Sequence, residues 1–495
     1  MHRLKQIYDW LEFRLKLEGP IKDTVLHPVP RNTASWWYVF GSASFVLLML
    51  QIVTGILLAI VYVPSAGEAW NSLQVLNQQL PLGWFLRAMH GWGSNFMVAV
   101  VLIHMAQVFL FGAYKFPREL TWILGVFLLL MTLGMAFTGQ VMRFDQDAYW
   151  GLGIGASIVA RVPLIGGPLV NLLLGGPIIA GPTLTRFFAL HVFVIPGSML
   201  LFAALHIWMV VGLGINDWPM PGRVVKRTTY IQEYHELTHK DGMPFVPGAV
   251  WKDMIFSAAI LLAVALCAVF LGPFGPTGFP DPTIIQTVPK PDFFFLWLYT
   301  ILSFLPENLE TPFILIAPVL GILFLLALPF FAGEGEKSWH RRPIAVLSIT
   351  VLAVGFAVCE HLGTYTPWSP QMQAWSGDTV PVRYVHGATP LGRQGQIVFQ
   401  AKQCRNCHMI GGLGGERGPA LDGVASRLTY DQLVRQVLQG GGNMPAYGKN
   451  LSPAEVTALV SFLETLHPEG QRPARDASQQ YINTGELDPA QPGAQ

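Results

Sequence analysis

Seven stretches of this chain are apolar for so long that each, in water, would need burial on every side. They run Trp36–Val63, Trp84–Ala113, Trp122–Gly139, Arg186–Gly212, Trp251–Leu271, Pro312–Phe331 and Pro343–Val358. A helix needs about 20 apolar residues, rising about 1.5 Å each, to cross a hydrocarbon core of about 30 Å. Lipid offers no partner to backbone groups, so they must pair internally, and helices satisfy that within each segment. Only 12% of the 495 residues are charged, about half the share usual in soluble domains. The expected fold class is therefore all-α, a seven-helix transmembrane bundle. A net charge of +1 gives no basis for nucleic-acid binding.

Lysine and arginine set the orientation, because they accumulate on the cytoplasmic side. The N-terminal segment holds Arg3, Lys5, Arg14, Lys16, Lys22 and Arg31, and the second loop holds Lys115 and Arg118. The fourth loop carries Arg223, Lys226, Arg227 and Lys240, and the sixth Lys337, Arg341 and Arg342. The first loop has neither residue type, and the fifth only Lys290. The N-terminus is expected inside and, after seven crossings, the C-terminus outside. No cleavable signal peptide is recognised in the charged, amphipathic start.

Six regions follow. Residues 1–35 read as a cytoplasmic amphipathic segment, 36–215 as a four-helix domain and 249–362 as a three-helix domain. Residues 363–388 form a linker, 389–468 a small soluble α-helical domain, and 469–495 a disordered polar tail. The third loop, 140–185, is expected to hold short surface helices, and FFFLWLYTILSFL in the fifth an interfacial one. Cys267 and Cys359, alone in apolar runs, read as packing residues.

Four histidines lie within the spans: His90 and His104 in the second, His191 and His206 in the fourth. Ionisable residues in spanning helices are costly and mark function by default; a histidine bonded to a neighbouring helix is the alternative. His90 and His104 are 14 residues apart, His191 and His206 15. At about 100° per residue, 14 steps leave a side chain about 40° behind and 15 about 60° ahead. Both pairs thus share one helix face, roughly 21–23 Å apart along it. The two helices run the same way, so His90 should face His191 near the outer surface and His104 face His206 near the inner one. Histidine pairs across a bundle core suit two b-type haems. Gly41 and Gly55, then Gly125 and Gly139, repeat the 14-residue spacing. Glycine lets a backbone approach a haem closely; small-residue helix packing is the alternative.

RAMHGWGSNF (Arg87–Phe96), DQDAYWG (Asp145–Gly151) and LTRFFALH (Leu184–His191) resemble the cytochrome b of quinol–cytochrome c reductases. The likeness, over about residues 30 to 360, is closest to the cytochrome b6f branch. Its separate subunit IV is similar to the last three spans, here in one chain. The resemblance implies quinol oxidation at the outer face, with one electron passing to a separate Rieske iron–sulfur protein. The other crosses by the two b haems to reduce quinone inside, and protons are translocated. Pro291-Asp292-Phe293-Phe294 stands where the family has Pro-Glu-Trp-Tyr. That implies Asp292 as quinol proton acceptor, with helix capping as its alternative role and Glu307 and Glu310 as substitutes. Arg87 resembles an arginine that pairs with a haem propionate; a snorkelling arginine is the alternative. Gln107 replaces a basic residue of the branch, and Val39 stands where the branch attaches a third haem through cysteine, so no covalent third haem is expected.

Cys404-Arg405-Asn406-Cys407-His408 is a C-x-x-C-H attachment motif for one covalent c-type haem. Cys404 and Cys407 would form the thioethers and His408 would ligate the iron. Met444 is the expected sixth ligand, Met409 being too close to the motif. The domain resembles a class I cytochrome c, whose haem is attached outside the cytoplasm in bacteria. That implies a bacterial inner membrane, a periplasmic cytochrome c domain, a cytochrome c or other acceptor, and a homodimer. A non-catalytic electron conduit with a decayed quinol site is the rival reading. A terminal-oxidase subunit lacks its histidine set.

Overall fold

The computed structural model describes residues 2–16, 19, 26–175, 179, 181–280, 290–365, 379–384, 388–414, 418–440, 444, 447–448 and 451–468. The polar tail, most of the 363–388 linker and the 281–289 part of the fifth loop lie outside these. Among the described residues, seven helices are long and apolar enough to cross a membrane. We number the helices used below in chain order. Helix α1 is His2–Leu15, α2 Phe40–Ala59, α3 Ala69–Gln78, α4 Gly83–Leu110 and α5 Glu119–Met142. Then come α6 (Gln146–Ala160), α7 (Gly166–Leu174), α8 (Gly181–Leu213), α9 (Tyr230–Asp241) and α10 (Val250–Leu271). The rest are α11 (Phe293–Phe304), α12 (Glu307–Phe331), α13 (Pro343–Tyr365), α14 (Pro390–Ala401), α15 (Tyr430–Gln439) and α16 (Pro453–Leu463).

The spans end where side chains stop suiting lipid. Helix α2 begins four residues later than hydropathy suggests, and α4 stops at Leu110 because Gly112 takes φ +61°. Helix α5 runs on to Met142 because Thr138 and Gln140 turn into the bundle, where both are buried. Helix α8 starts early because Thr183, Leu184 and Phe187 pack inward. Outward, Phe270 and Trp208 stay more than 70% exposed, a surface only lipid would cover at no cost. The expected surface helices of the third loop are α6 and α7, and that of the fifth is α11.

Helix α2 packs on α4 and α5 on α8, while α10 leans on α4 and α12 on α5. Midway along the bundle, Ala43, Leu47, Met97, Val100, Met199 and Ala203 form a buried apolar core. It separates two tiers of histidines.

All basic loops gather on one side. Val224 and Val225 pair antiparallel with Glu336 and Gly335, and Pro28–Pro30 with Gly242–Pro244. Lys115 Nζ donates to the Ala332 carbonyl at 2.7 Å, and Arg342 to the Phe109 carbonyl at 3.0 Å. Deepest is Lys337, which pairs with Asp217 while Tyr230 and Arg223 also bind that carboxylate. Burial would raise the Asp217 carboxyl, but Lys337, Tyr230 and Arg223 together hold it below the usual range.

At the other end, residues 272–279 cross the bundle mouth. Trp92 Nε1 donates to the Gly272 carbonyl and Trp70 Nε1 to the Thr277 carbonyl, each at 2.9 Å. The Thr277 amide donates to Asp145 at 2.9 Å.

The C-terminal helices have a core of their own. Phe399 and Phe462 meet edge-on at 5.4 Å, with Leu433, Val437 and Leu459 around them. A Cβ at Gly395 would lie 1.9 Å from the Ala458 carbonyl oxygen, so glycine is what lets α14 cross α16. Thr429 and Ser452 open α15 and α16 with capping boxes.

Candidate functional site

The outer tier is His90 and His191. Their ring centroids are 6.3 Å apart with planes at 76°. A metal–imidazole bond is about 2 Å long, and the nitrogen sits about 1 Å from its ring centre, so one ion between two imidazoles sets centroids about 6 Å apart. The rings therefore stand at the separation that a single iron would require. Both line a cavity of about 470 Å³, together with Gly55, Gly139, Arg87 and Asp292.

Threonine hydroxyls orient both rings: Thr54 Oγ1 is 2.8 Å from His90 Nδ1 and Thr138 Oγ1 2.8 Å from His191 Nδ1. Each hydroxyl also reaches a carbonyl four residues back, Leu50 at 2.6 Å and Gly134 at 2.9 Å. With its proton on that carbonyl, the oxygen accepts from Nδ1–H and leaves Nε2 free as a ligand.

The inner tier is His104 and His206, whose Nδ1 atoms are both buried. Each of the four glycines faces one histidine ring. A Cβ at Gly41 would lie 3.2 Å from His104 Cε1 and one at Gly55 3.2 Å from His90. At Gly125 the distance to His206 is 3.6 Å, and at Gly139 to His191 2.9 Å. The close approach expected of these glycines is therefore made first to the histidine rings.

The unequal histidine spacing has a local cause. Leu190–Val194, which contains His191, is a π turn, and the Ile195 amide donates to the Leu190 carbonyl five residues back. Pro196 follows and has no amide to close an ordinary turn. A π turn takes up one residue more than an α turn, so 15 residues cover the arc of 14. The expected 60° lead of His206 is thereby corrected: the extra residue realigns the tiers instead of rotating one.

Asp292 stands at the N-cap of α11 but makes no capping hydrogen bond, so the capping alternative fails. Asp292 is among the residues lining the histidine cavity, and burial pushes its pKa up, with Arg143 opposing. Glu310 is committed to an ion pair with Arg161 at 3.0 Å; the Glu307 side chain lies outside the described residues. Arg87 also lines the cavity, while its guanidinium donates to the Phe274 carbonyl, the Gly275 carbonyl at 2.7 Å and Asn77 at 3.2 Å. It does not snorkel; it clamps the 272–279 segment over the bundle mouth. Val39 and Gln107 are both buried at the basic end.

In the C-terminal domain, Cys404–Asn406 form a 3-10 turn, and the His408 amide donates to the Cys404 carbonyl at 3.0 Å. His408 Nδ1 donates to the Pro419 carbonyl at 2.8 Å, which again frees Nε2. Met444 packs on the same core as Cys404, and its sulfur accepts from Gln436 at 3.5 Å. Met409 is instead held in a short strand pair with Gly414.

Sequence reasoning missed Thr54, Thr138, the π turn and the Lys337–Asp217 pair. The threonines had a signal: each immediately precedes a glycine of the outer tier.

The chain is similar to several known proteins. Residues 25–214 match the family model described as cytochrome b/b6/petB, and residues 390–463 one described as cytochrome c oxidase, cbb3-type, subunit III. The chain is 35% identical over 379 residues to a cytochrome b of Rhodobacter capsulatus, covering 72% of this chain and 84% of that one. It is 31% identical over 369 residues to a cytochrome b/c1 of Bradyrhizobium diazoefficiens, where it covers 72% of this chain and only 50% of the relative. The chain thus spans about half the length of that relative. A solved hyperthermophilic respiratory complex III chain superposes with a TM-score of 0.62 at 27% identity, over 73% of this chain and 92% of that one. With seven apolar helices, two tiers of paired histidines and a C-x-x-C-H turn, this multi-pass membrane protein belongs to the cytochrome b/b6 family and carries a cytochrome c domain at its C-terminal end.

Proposed function

We propose that the chain is the cytochrome b/c subunit of a quinol–cytochrome c oxidoreductase that bifurcates the electrons of quinol oxidised at its outer face. The observation that carries this is the juxtaposition of the His90–His191 pair and Asp292, whose pKa burial raises, in one cavity. The residues fit the implied groups: His90 and His191 would hold one b-type haem, His104 and His206 a second, and Cys404, Cys407, His408 and Met444 a c-type haem. Bound there, haems supply one-electron carriers at three places in the chain.

The chain's own part is positional. Glycines admit the imidazoles, threonines fix the outer rings, and Arg87, lining the same cavity, would pair with a haem propionate. Asp292 accepts a quinol proton as general base, to which a raised pKa is suited. Apolar, buried Val39 leaves no thiol for a third covalent haem. A separate Rieske protein, a cytochrome c or similar acceptor and a second copy of the chain complete the assembly. It sits in a bacterial inner membrane with the basic loops inside and the cytochrome c domain periplasmic.

The test is oxidant-induced reduction of haem b by quinol, combined with a pyridine haemochrome assay after acid–acetone extraction. Two extractable haems, one covalent haem and transient haem b reduction are expected. Haem content as expected without that transient would favour the conduit reading, which Phe293 and Phe294 keep open; a second covalent haem would overturn the reading of Val39.

A further inference from the structure

Among the described residues, helix α13 is the least buried of the seven spans, with 6% of its apolar stretch buried against 39% in α5. Its buried residues are Ala345 and Gly363, one near each end. What Gly363 meets is α11, the short helix that follows Asp292. A Cβ at Gly363 would lie 2.5 Å from Thr300 Oγ1 and 2.7 Å from Leu296 Cγ, so even alanine there must displace α11 side chains. Thr300 is fully buried, and its hydroxyl reaches the Cys359 carbonyl across the seam at 2.9 Å as well as the Leu296 carbonyl on its own helix. Lys290 Nζ donates to the Thr364 carbonyl at 3.0 Å, and the Trp297 backbone hydrogen-bonds the Glu360 carboxyl. By contrast, a Cβ at Gly355, about two turns earlier in α13, would meet nothing within 4 Å.

We propose that the seventh span positions α11, and that Gly363 and Thr300 are the positioning residues that seat Asp292 in the histidine cavity. The inference rests on the reading of Asp292 as quinol proton acceptor. Leu296 and Thr300 follow Asp292 by four and eight residues, about 6 and 12 Å along a helix. A rigid helix of that length passes a displacement at Thr300 on to its first turn. Carbon atoms rest about 3.5–4.0 Å apart, so a methyl at Gly363 asks for about 1 Å of extra room. A misplacement of that size, far from the chemistry, can cost about 100-fold in rate. The charged groups facing Asp292 are Arg143, Asp145 and Asp147 at the α5–α6 junction and Arg87 on α4, with Lys290 and Glu360 on the α13 side. None of them is altered by a substitution at Gly363, so its effect on Asp292 is carried by α11.

The test is the pH profile of quinol oxidation by the assembled holoprotein, together with infrared pH-difference spectra in which Asp292→Asn identifies the Asp292 carboxyl band. Gly363→Ala is expected to lower the saturated rate about 10- to 100-fold. It should also move the acid limb and that band off their wild-type pH, with haem content unchanged. Alanine favours a helix over glycine, so α13 itself is not weakened. Gly355→Ala is the control and should leave rate, limb and band in place. Leu296→Ala combined with Gly363→Ala makes room for the methyl and should recover most of the rate. Thr300→Ser keeps the hydroxyl and should behave as wild type, whereas Thr300→Val should move limb and band less far than Gly363→Ala. Gly363→Ala with limb and band at their wild-type pH overturns the inference, whatever its rate, and so does a Gly355→Ala of equal effect. If Gly363→Ala does not assemble, Thr300→Val decides by the same two readings: moved supports the inference, unmoved overturns it. Protein whose acid limb survives Asp292→Asn overturns the general-base reading instead, while the carboxyl band still tests the seat, so the two failures are distinguishable.

Discussion

Gly139 presses so closely on His191 that a Cβ there would lie 2.9 Å from the ring carbon Cε1. The four glycines grade by this distance: 2.9 Å at Gly139, 3.2 Å at Gly41 and Gly55, 3.6 Å at Gly125. Alanine at each should follow that order. Gly139→Ala forces an imidazole to shift and should cost about 1–3 kcal/mol of overpacking strain with loss of b-haem absorbance. Gly125→Ala, at ordinary contact distance, should retain near wild-type haem content. Equal losses at all four would contradict the ring-contact explanation.

Asp292 gives a prediction with a definite sign. Burial raises its folded pKa, so the ionised base is lost at a higher pH than for an ordinary aspartate. Quinol oxidation should therefore fall as pH drops through that raised pKa. Asp292→Asn should lower the rate by about 10²–10⁴-fold, Asp292→Glu should recover most of it, and the acid limb should vanish from the Asn variant's pH profile. The same shift means that burying the carboxylate costs stability at neutral pH, relieved on acidification.

The Lys337–Asp217 pair should behave as buried pairs do. Lys337 is 1% exposed and Asp217 2%. Lys337→Met leaves a buried carboxylate without its ammonium and should destabilise by about 3–5 kcal/mol, while the double variant with Asp217→Leu should recover much of that. Melting temperatures in detergent would show it, and a double variant no better than the single would refute it.

In the C-terminal domain, Met444→Ala should leave the haem covalently attached but lower its potential, since methionine ligation raises it. Cys404→Ala should weaken the covalent haem signal on a denaturing gel. Met409→Ala should leave the potential unchanged, which separates the two methionines.

The seven spans were legible because a 20-residue apolar run has one physical solution in lipid, and the four histidines because an ionisable group there has few uses. Their vertical pairing followed from helix arithmetic alone. What the arithmetic missed was a change of helix type, since hydropathy does not register a π turn. The Lys337–Asp217 pair escaped for another reason: its members are 120 residues apart, and each looked like an ordinary loop charge. Thr54 and Thr138 were hidden by their mildness, because threonine in a spanning helix usually satisfies its hydroxyl on its own backbone, as both of these also do.

The π turn at Leu190–Val194 has a meaning for how such chains can change length. Along most of a spanning helix, inserting or deleting one residue swings everything beyond it by about 100°, which would turn a histidine to lipid. Here the excess residue is held in one widened turn beside His191. Deleting a residue from that turn should relax it to an ordinary α turn with all four imidazoles still in place. The fourth span thus has a single point where its length is free, and elsewhere only residue identity can vary.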